Sequence, residues 1–264
     1  MTLTITRPYH HPDYKIITES KHISKTLYLQ FGKYITERDS KIKNIIIITE
    51  TSDSYYEVEY NSKTVTTNRP LAELENILYE NTTYDKKVIT LHGAAVEKDG
   101  KAYVFLARTT TGKTTLAAYL NLSGCGYVTE DCVLIDRATA AVYPYACPVH
   151  LRAGGVEVLK KHNVELPELK VLHDPIGDRY VYSPENVVTS CTPLEGIYFI
   201  ERSDKINRIE KISPQAAAVS LMKSSLSANR PDADYVKAIM CIANANCYSL
   251  TYCDMKYVLD IIGN

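Results

Sequence analysis

The stretch that decides the fold is VFLARTTTGKTTLAAYL, residues 104–120. Its first residues are apolar and suit a buried strand, and its last residues suit a helix. Between them, Ala107, Gly112, Lys113 and Thr114 occupy the fixed positions of the G-x-x-x-x-G-K-[ST] phosphate-loop pattern, with alanine replacing the first glycine. Such a loop binds phosphate because backbone N–H groups at a helix N-terminus point at the anion. The stretch therefore predicts a strand, a phosphate loop and a helix in succession.

The loop is rich in threonine, where phosphate loops are usually rich in glycine. Lys113 is expected to reach the β- and γ-phosphates of a nucleotide, and the Thr114 hydroxyl to bind Mg²⁺. If the backbone at Thr110 needs a positive φ, a β-branched residue there is strained; otherwise its hydroxyl is free to contact phosphate. The candidate nucleotide-binding residues are Ala107, Arg108, Thr109, Thr110, Thr111, Gly112, Lys113, Thr114 and Thr115.

Two adjacent carboxylates follow in YVTEDCVLID, which we interpret as the next strand. A carboxylate at the end of a neighbouring strand is what a Mg²⁺–nucleotide site needs. Of Glu130 and Asp131, one would hold Mg²⁺ and the other would accept a proton from a substrate hydroxyl. The simpler alternative is a solvated acidic strand end.

A single histidine lies in the apolar segment TLHGAAV. A lone histidine in such a strand is more often a core residue than a catalyst, so His92 is a candidate only through its neighbours. Gly93, which follows it, predicts a close approach of another group to the backbone.

Strands and helices alternate from residue 88 onward, which predicts an α/β domain over residues 88–264. Within it, Asp99-Gly100 is a strong hairpin signal. Residues 1–87 are predicted to be a β-rich region. KTLYLQFGKYITER alternates like a strand, KNIIIITE reads as a buried strand, and Asn61-Ser62 marks a hairpin turn. Pro70 is expected to start a helix.

Composition excludes several classes of function. The formal net charge is -1 with no basic tract, which argues against a nucleic-acid partner. The apolar runs are too short to span a membrane. The seven cysteines form no C-x-x-C pair, and an odd number without framework spacing indicates reduced thiols and a cytoplasmic location.

The histidine, hairpin, loop, helix and acidic pair, in this order over residues 91–136, resemble the catalytic core of the HPr kinase/phosphorylase family. The shorter relatives, such as lasso-peptide kinases and free-serine kinases, are the more similar ones. The resemblance implies an α/β fold with a P-loop kinase core of the HPr kinase C-terminal-domain type and a smaller β-rich N-terminal part. It also implies that His92 is the active-site histidine, Asp131 the metal-side acid, Glu130 the general base and Arg152 a cation near the phosphates. Arg179 is a second candidate cation.

The chain departs from the family pattern at several positions. Ala107 and Thr110 replace two loop glycines, and Glu130 replaces an aspartate. The place of the phosphorylase signature Leu-Glu-Ile-Arg-Gly reads VHLRA, residues 149–153, without its acidic residue. This argues against phosphorolysis and against HPr as the substrate.

The sequence thus leads us to expect a kinase that uses ATP and Mg²⁺ to phosphorylate a serine or threonine hydroxyl of a peptide or protein. Two alternatives remain open: a kinase for a small molecule such as free serine, and a nucleotide-binding protein that has lost turnover. Because the family often assembles, a homo-oligomer is also an expectation.

Overall fold

The computed structural model describes residues 1–6, 12–37, 42–52, 54–82, 86–174, 176–226 and 232–263. In these residues the chain has a mixed α/β fold with three sheets. The helices are α1 (Lys21–Phe31), α2 (Pro70–Thr82), α3 (Lys113–Leu122), α4 (Ala153–Lys161), α5 (Pro214–Ser224), α6 (Ala233–Ala243) and α7 (Met255–Gly263). The strands are β1 (Thr2–Ile5), β2 (Tyr14–Thr18), β3 (Ile35–Thr36), β4 (Ile45–Ser52), β5 (Tyr55–Tyr60), β6 (Lys63–Thr67), β7 (Val88–Leu91), β8 (Gly93–Lys98), β9 (Lys101–Leu106), β10 (Gly126–Thr129), β11 (Val133–Asp136), β12 (Ala141–Tyr143), β13 (Val149–Leu151), β14 (Lys170–Leu172), β15 (Arg179–Tyr182), β16 (Thr192–Arg202), β17 (Arg208–Lys211) and β18 (Cys247–Tyr252).

The chain divides into two compact units. The N-terminal unit comprises Met1–Asp85, Cys147–Ala153 and Glu168–Ser183, and the C-terminal unit comprises Lys86–Ala146, Gly154–Pro167 and Pro184–Asn264. The sequence placed one boundary between residues 87 and 88. The structure adds two later segments to the first unit.

The N-terminal unit contains a six-stranded sheet in the order β3-β1-β2-β4-β5-β6 and a three-stranded sheet in the order β13-β15-β14. The later segments belong here because they pack on the core of this unit. Cys147 packs against that core, and Pro148 lies so close to Gly32 that a Cβ on the glycine would be 3.0 Å from the proline Cγ. Arg69 and Asp174 form an ion pair at 3.5 Å.

The segment predicted as a strand from its alternation is instead the helix α1. Ile23, Leu27 and Phe31, spaced four residues apart, are all buried on one face of this helix. Ser20 caps its N-terminus by accepting a hydrogen bond from the Ile23 N–H, and Gly32 ends it with a φ of +52°. The apolar residues of this segment fit both the two-residue alternation of a strand and the periodicity of a helix. Packing against the sheet selects the helix.

Two other local predictions for this unit are confirmed, and the prediction of a buried isoleucine strand is corrected to a strand that is buried on one face. Asn61 and Ser62 connect β5 and β6 with positive φ angles of 49° and 61°, as a two-residue hairpin turn requires. Helix α2 begins at Pro70. In β4, Ile46 and Ile48 are buried while Ile45 is exposed, so the isoleucine run is buried on one face only.

The C-terminal unit is built on a nine-stranded mixed sheet. Its main path runs β10-β8-β9-β16-β12-β11-β7, and β18 pairs with the second half of β16 and with β17. Strand β16 runs parallel to β9 on one side and to β18 on the other, while the remaining pairs are antiparallel. The carboxyl ends of β9, β16 and β18 therefore meet at one edge of the sheet.

Helices cover both faces of this sheet. Val104, Leu106 and Ile197 pack on one face against α5 and α6. On the other face, Phe105 and Tyr198 stack with ring centroids 5.6 Å apart, and α3 and α7 contact each other. No helix in the described ranges is long and apolar enough to cross a bilayer.

Candidate functional site

The threonine-rich loop lies at the carboxyl edge of the C-terminal sheet. Strand β9 ends at Leu106 and helix α3 begins at Lys113, as the sequence predicts. Gly112 is the N-cap residue with a φ of +98°, and the Leu116 N–H donates to its carbonyl over 2.9 Å to close the first helical turn. A side chain at this position would be strained, so the glycine is required by its backbone conformation.

Thr110 also has a positive φ, of +71°. The backbone here therefore does adopt the conformation that glycine takes without strain, and threonine in it is strained by about 1–3 kcal/mol. The Thr110 hydroxyl donates to the Thr109 carbonyl over 2.5 Å, while both side chains are exposed to solvent. The loop keeps its shape in spite of the substitution and at a cost in stability.

Lys113 is the most buried charged group of the loop, at 6% exposure. Its Nζ donates to the carbonyls of Ala107 over 3.1 Å and Arg108 over 3.3 Å, so the ammonium group lies inside the curve of the loop. Burial lowers the pKa of Lys113, and the nearby charge of Asp131 partly opposes this shift. An anion that enters the loop would give this ammonium a stronger partner than two carbonyls.

The acidic pair interrupts what the sequence predicted as one strand. Strand β10 ends at Thr129 and β11 begins at Val133, because Glu130, Asp131 and Cys132 form a tight turn. The Cys132 N–H donates to the Glu130 carbonyl over 2.7 Å, and Asp131 between them has a φ of +61°.

The turn separates the two carboxylates. Glu130 is 8% exposed, whereas Asp131 is exposed to solvent. In a continuous strand, neighbouring side chains would simply have pointed to opposite faces. The turn instead presents Asp131 at the sheet edge and holds Glu130 in the interior.

His92 connects the acidic turn to the loop. Its backbone N–H donates to the Ser224 carbonyl over 2.8 Å, and its ring Nδ1 lies 3.2 Å from the Asp131 carbonyl oxygen. Since a carbonyl only accepts, Nδ1 carries the proton in this contact and Nε2 keeps its lone pair. Burial and the charge of Lys113 lower the pKa of His92, against a raising effect of Asp131, so the imidazole is neutral at neutral pH.

Gly93 explains how His92 comes so close to the end of β9. A Cβ on this glycine would lie 2.5 Å from Leu106 Cδ2 and 2.8 Å from the Phe105 carbonyl oxygen. The close approach predicted from the sequence is thus confirmed, and the approaching group is the neighbouring strand β9.

The structure thus groups part of the predicted site. His92, Lys113 and Asp131 interact electrostatically, and Thr114 and Thr115 follow in the first turn of α3, half-buried. Thr111 is half-buried in the loop. The two candidate arginines belong to the N-terminal unit: Arg152 is exposed just after β13, and Arg179 begins β15.

Two residues near the loop were not predicted from the sequence as part of the site. A Cβ added to Gly112 would lie 3.6 Å from Arg202 Cδ and 4.0 Å from the Tyr252 hydroxyl. Each residue is the last of a strand, β16 and β18 respectively. The signal that would have found them is their place at the ends of two predicted strands, but only the parallel pairing with β9 shows that these ends meet the loop.

The residues present fit a nucleotide with Mg²⁺. A buried ammonium and a helix N-terminus suit phosphate oxygens. The exposed Asp131 carboxylate, and the hydroxyl of Thr114, which follows Lys113 in the chain, are groups that suit Mg²⁺. Across the described residues, no group of three or more His, Cys, Asp or Glu side chains forms a metal cage. Mg²⁺ in kinases is held by one or two carboxylates plus substrate phosphates, so such a cage is not needed.

Comparison with known proteins gives limited similarity. No protein-family model matches the chain, and no curated protein matches it. Among solved structures it is similar to the Hpr(Ser) kinase/phosphatase from Coxiella burnetii, with 12% sequence identity and a TM-score of 0.32, over 66% of this chain and 94% of that chain. Membership of the HPr kinase family stays a prediction, and the site described above, not this likeness, carries the function proposed below.

Proposed function

We propose that this chain is a P-loop kinase that transfers the γ-phosphoryl group of ATP to a serine or threonine hydroxyl of a peptide or protein. The observation that carries the proposal is the buried Lys113 ammonium, held inside a strand–loop–helix turn next to Asp131 and His92. The cysteine pattern in the sequence favours a cytoplasmic reaction.

The loop and Lys113 bind the phosphates in this proposal. Lys113 exchanges the carbonyls of Ala107 and Arg108 for β- and γ-phosphate oxygens, and the N–H groups at the start of α3 donate to the same oxygens. The exchange replaces neutral acceptors with charged ones, which strengthens each hydrogen bond. Charge that develops in the transition state is then stabilised by groups already in position.

The Thr114 hydroxyl and the Asp131 carboxylate are the groups that would hold Mg²⁺. The metal ion, when bound, neutralises phosphate charge and orients the β- and γ-oxygens. The resemblance gives Glu130 the role of the base that takes the proton from the acceptor hydroxyl. Because Glu130 is only 8% exposed, the acceptor hydroxyl has to reach its carboxylate beneath the turn. His92 is a positioning residue here, because its Nδ1–H donates to the Asp131 carbonyl and fixes the turn that presents the Asp131 side chain.

Nucleotide titration tests the proposal. ATP and ADP are added, with and without Mg²⁺, to the wild type, to Lys113→Ala and to the control Lys237→Ala, an exposed lysine on α6. We expect Mg²⁺-dependent binding in the wild type and the control but not in Lys113→Ala. Transfer of label from γ-labelled ATP to serine and threonine peptides should fall in Lys113→Ala by an amount equal to about 2–4 kcal/mol of barrier. Wild-type turnover in Lys113→Ala would refute the assignment.

The strained Thr110 favours a second candidate function, a nucleotide-binding protein that has lost turnover. The two candidates differ in their response to Thr110→Gly. In a degenerate site, restoring glycine should raise ATP affinity strongly, by about a hundredfold, if the strain keeps the loop from closing on phosphate. In a working kinase the change in affinity should be small, and the wild type should already transfer label to a peptide.

A further inference from the structure

Strand β16, the parallel neighbour of β9, and β18, which pairs with β16, extend beyond β9 at the edge where the loop begins. Leu106, the last residue of β9, pairs with Phe199, and β16 continues for three more residues to Arg202. Three residues of strand add about 10 Å. Strand β18 pairs with β16 over this extension and ends at Tyr252, the partner of Arg202. Ligands in α/β proteins bind beyond the carboxyl ends of parallel strands, and these two ends form a wall beside the threonine-rich loop.

The side chains of Arg202 and Tyr252 lie on the same face of the sheet. They are direct partners in the parallel pairing of β16 with β18, so their side chains leave the sheet on the same side. Both reach the backbone at Gly112, with Arg202 Cδ 3.6 Å and the Tyr252 hydroxyl 4.0 Å from the position that a Cβ would take. The start of α3 is therefore flanked by a guanidinium stem and a phenol.

Both groups have free hydrogen-bonding capacity. Tyr252 is 1% exposed, yet its hydroxyl makes no hydrogen bond to any residue in the described part of the chain. Burial raises the pKa of Tyr252 to about 12, opposed by the charge of Arg202, so the phenol is a neutral donor. The guanidinium of Arg202 forms neither an ion pair nor a hydrogen bond within the same described ranges. The phenol O–H and the guanidinium N–H groups are therefore available to donate to the oxygens of a ligand.

The two strand ends are also fixed to each other. The Ser203 N–H donates to the Tyr252 carbonyl over 2.9 Å. The Asn207 side-chain oxygen accepts from the N–H groups of Cys253 over 2.8 Å and Asp254 over 3.3 Å. The backbone that carries Arg202 and Tyr252 is thus held in place before any ligand binds, which reduces the entropy lost on binding.

The sheet order separates this wall from the acidic turn. His92 and Asp131 approach the loop from the β8 and β10 side of β9, whereas Arg202 and Tyr252 approach from the β16 and β18 side. In the proposed kinase, the phosphate that is transferred lies next to Asp131. The opposite side of the loop is left for the part of the nucleotide that does not react.

We propose that Arg202 and Tyr252 form an anion-binding subsite at the amino end of α3 that holds a non-transferred phosphate of the donor nucleotide. This rests on the proposed kinase function and adds to it two donor-binding residues. The guanidinium would bind a phosphate oxygen through charge-assisted hydrogen bonds, and the phenol would donate one more.

ADP is the probe, because it carries only the phosphates that are not transferred. Its Kd is measured by titration calorimetry for the wild type, Arg202→Gln, Tyr252→Phe, Lys113→Ala and the control Lys205→Ala, an exposed cation three residues beyond Arg202. We expect Arg202→Gln to raise the Kd about tenfold or more and Tyr252→Phe to raise it several-fold, with Lys205→Ala unchanged. In turnover assays, Arg202→Gln should raise the KM for ATP while kcat changes little.

The outcomes separate the two proposals. If the wild type binds ADP, Lys113→Ala does not, and Arg202→Gln and Tyr252→Phe bind like Lys205→Ala, the subsite is refuted and the kinase function stands. If the wild type binds neither ADP nor ATP, both proposals are refuted. Melting temperatures are measured alongside. A raised Kd in Arg202→Gln at an unchanged melting temperature supports the subsite, because a structural role would lower both the affinity and the melting temperature.

Discussion

Replacing Thr110 with glycine should make the protein more stable, although it shortens a side chain and adds a flexible residue. The wild-type residue has a φ of +71°, which costs a β-branched residue about 1–3 kcal/mol. Glycine adopts this conformation freely. Against the gain stand about 0.5–1 kcal/mol for the greater freedom of glycine in the unfolded chain, and roughly 0.5 kcal/mol for the lost hydroxyl contact with Thr109. The net expectation is a stabilisation of about 1 kcal/mol.

Thr109→Gly is the matched control, because Thr109 is the same residue type, next in the loop and equally exposed, and has no positive φ. It should be destabilised by about 0.5–1 kcal/mol through the same unfolded-state effect. Both variants are compared with the wild type by urea denaturation and by thermal melting, where 1 kcal/mol corresponds to roughly 2–4 °C for a chain of this size. If Thr110→Gly is destabilised as much as Thr109→Gly, the reasoning about strain at Thr110 is refuted.

Three further variants test the site from other directions. Gly93→Ala should lose at least about 1–3 kcal/mol of stability in urea denaturation, because its Cβ would lie 2.5 Å from Leu106 Cδ2. His92→Gln should remove an acid sensitivity of the wild type. The pKa of His92 is lowered in the folded state from the ordinary value of 6.5. Well above pH 6.5 the ring is neutral in both states, whereas below it the unfolded state takes up the proton first and stability falls. Asp131→Asn should abolish the Mg²⁺ dependence of ADP binding while metal-free binding persists.

Each of these has a contradicting outcome. For Gly93, the control is Gly154→Ala: Gly154 lies in α4 with nothing within 4 Å of its Cβ position, and should gain up to about 1 kcal/mol. Equal effects of the two alanines would disprove the close approach at β9. For His92, parallel stability curves of wild type and His92→Gln between pH 5 and 7.5 would contradict the lowered pKa. For Asp131, retention of the wild-type Mg²⁺ effect would show that another group binds the metal.

Local elements of this protein could be predicted wherever a few neighbouring residues determine a turn or a helix cap. Asp99-Gly100 gives the β8–β9 hairpin with two positive φ angles, and Ser213 followed by Pro214 starts α5 with the Ser213 side chain accepting from the Ala216 N–H. These signals depend on backbone conformations that only a few residue types favour. The sequence of strand, loop and helix around Lys113 was predictable for the same reason.

The acidic turn could not be predicted in this way. Residues 127–136 alternate well enough to suggest one strand, but β10 pairs with β8 and β11 pairs with β7, in different parts of the sheet. The chain must leave one partner and join another, and the turn at Asp131 makes this change possible. Pairing between distant strands, not local preference, puts Asp131 at the surface and Glu130 inside.

By itself, then, the sequence determined the loop, its lysine, the acidic pair and the histidine, because each is encoded in a short pattern with a direct chemical meaning. Tertiary structure decided which of these groups meet. It brought Asp131 and His92 to the buried Lys113 through strand pairing. It also placed Arg202 and Tyr252 beside Gly112 through two parallel strands that lie far from the loop in sequence. Contacts of that kind depend on the relative positions of whole strands, which no local pattern of residues specifies.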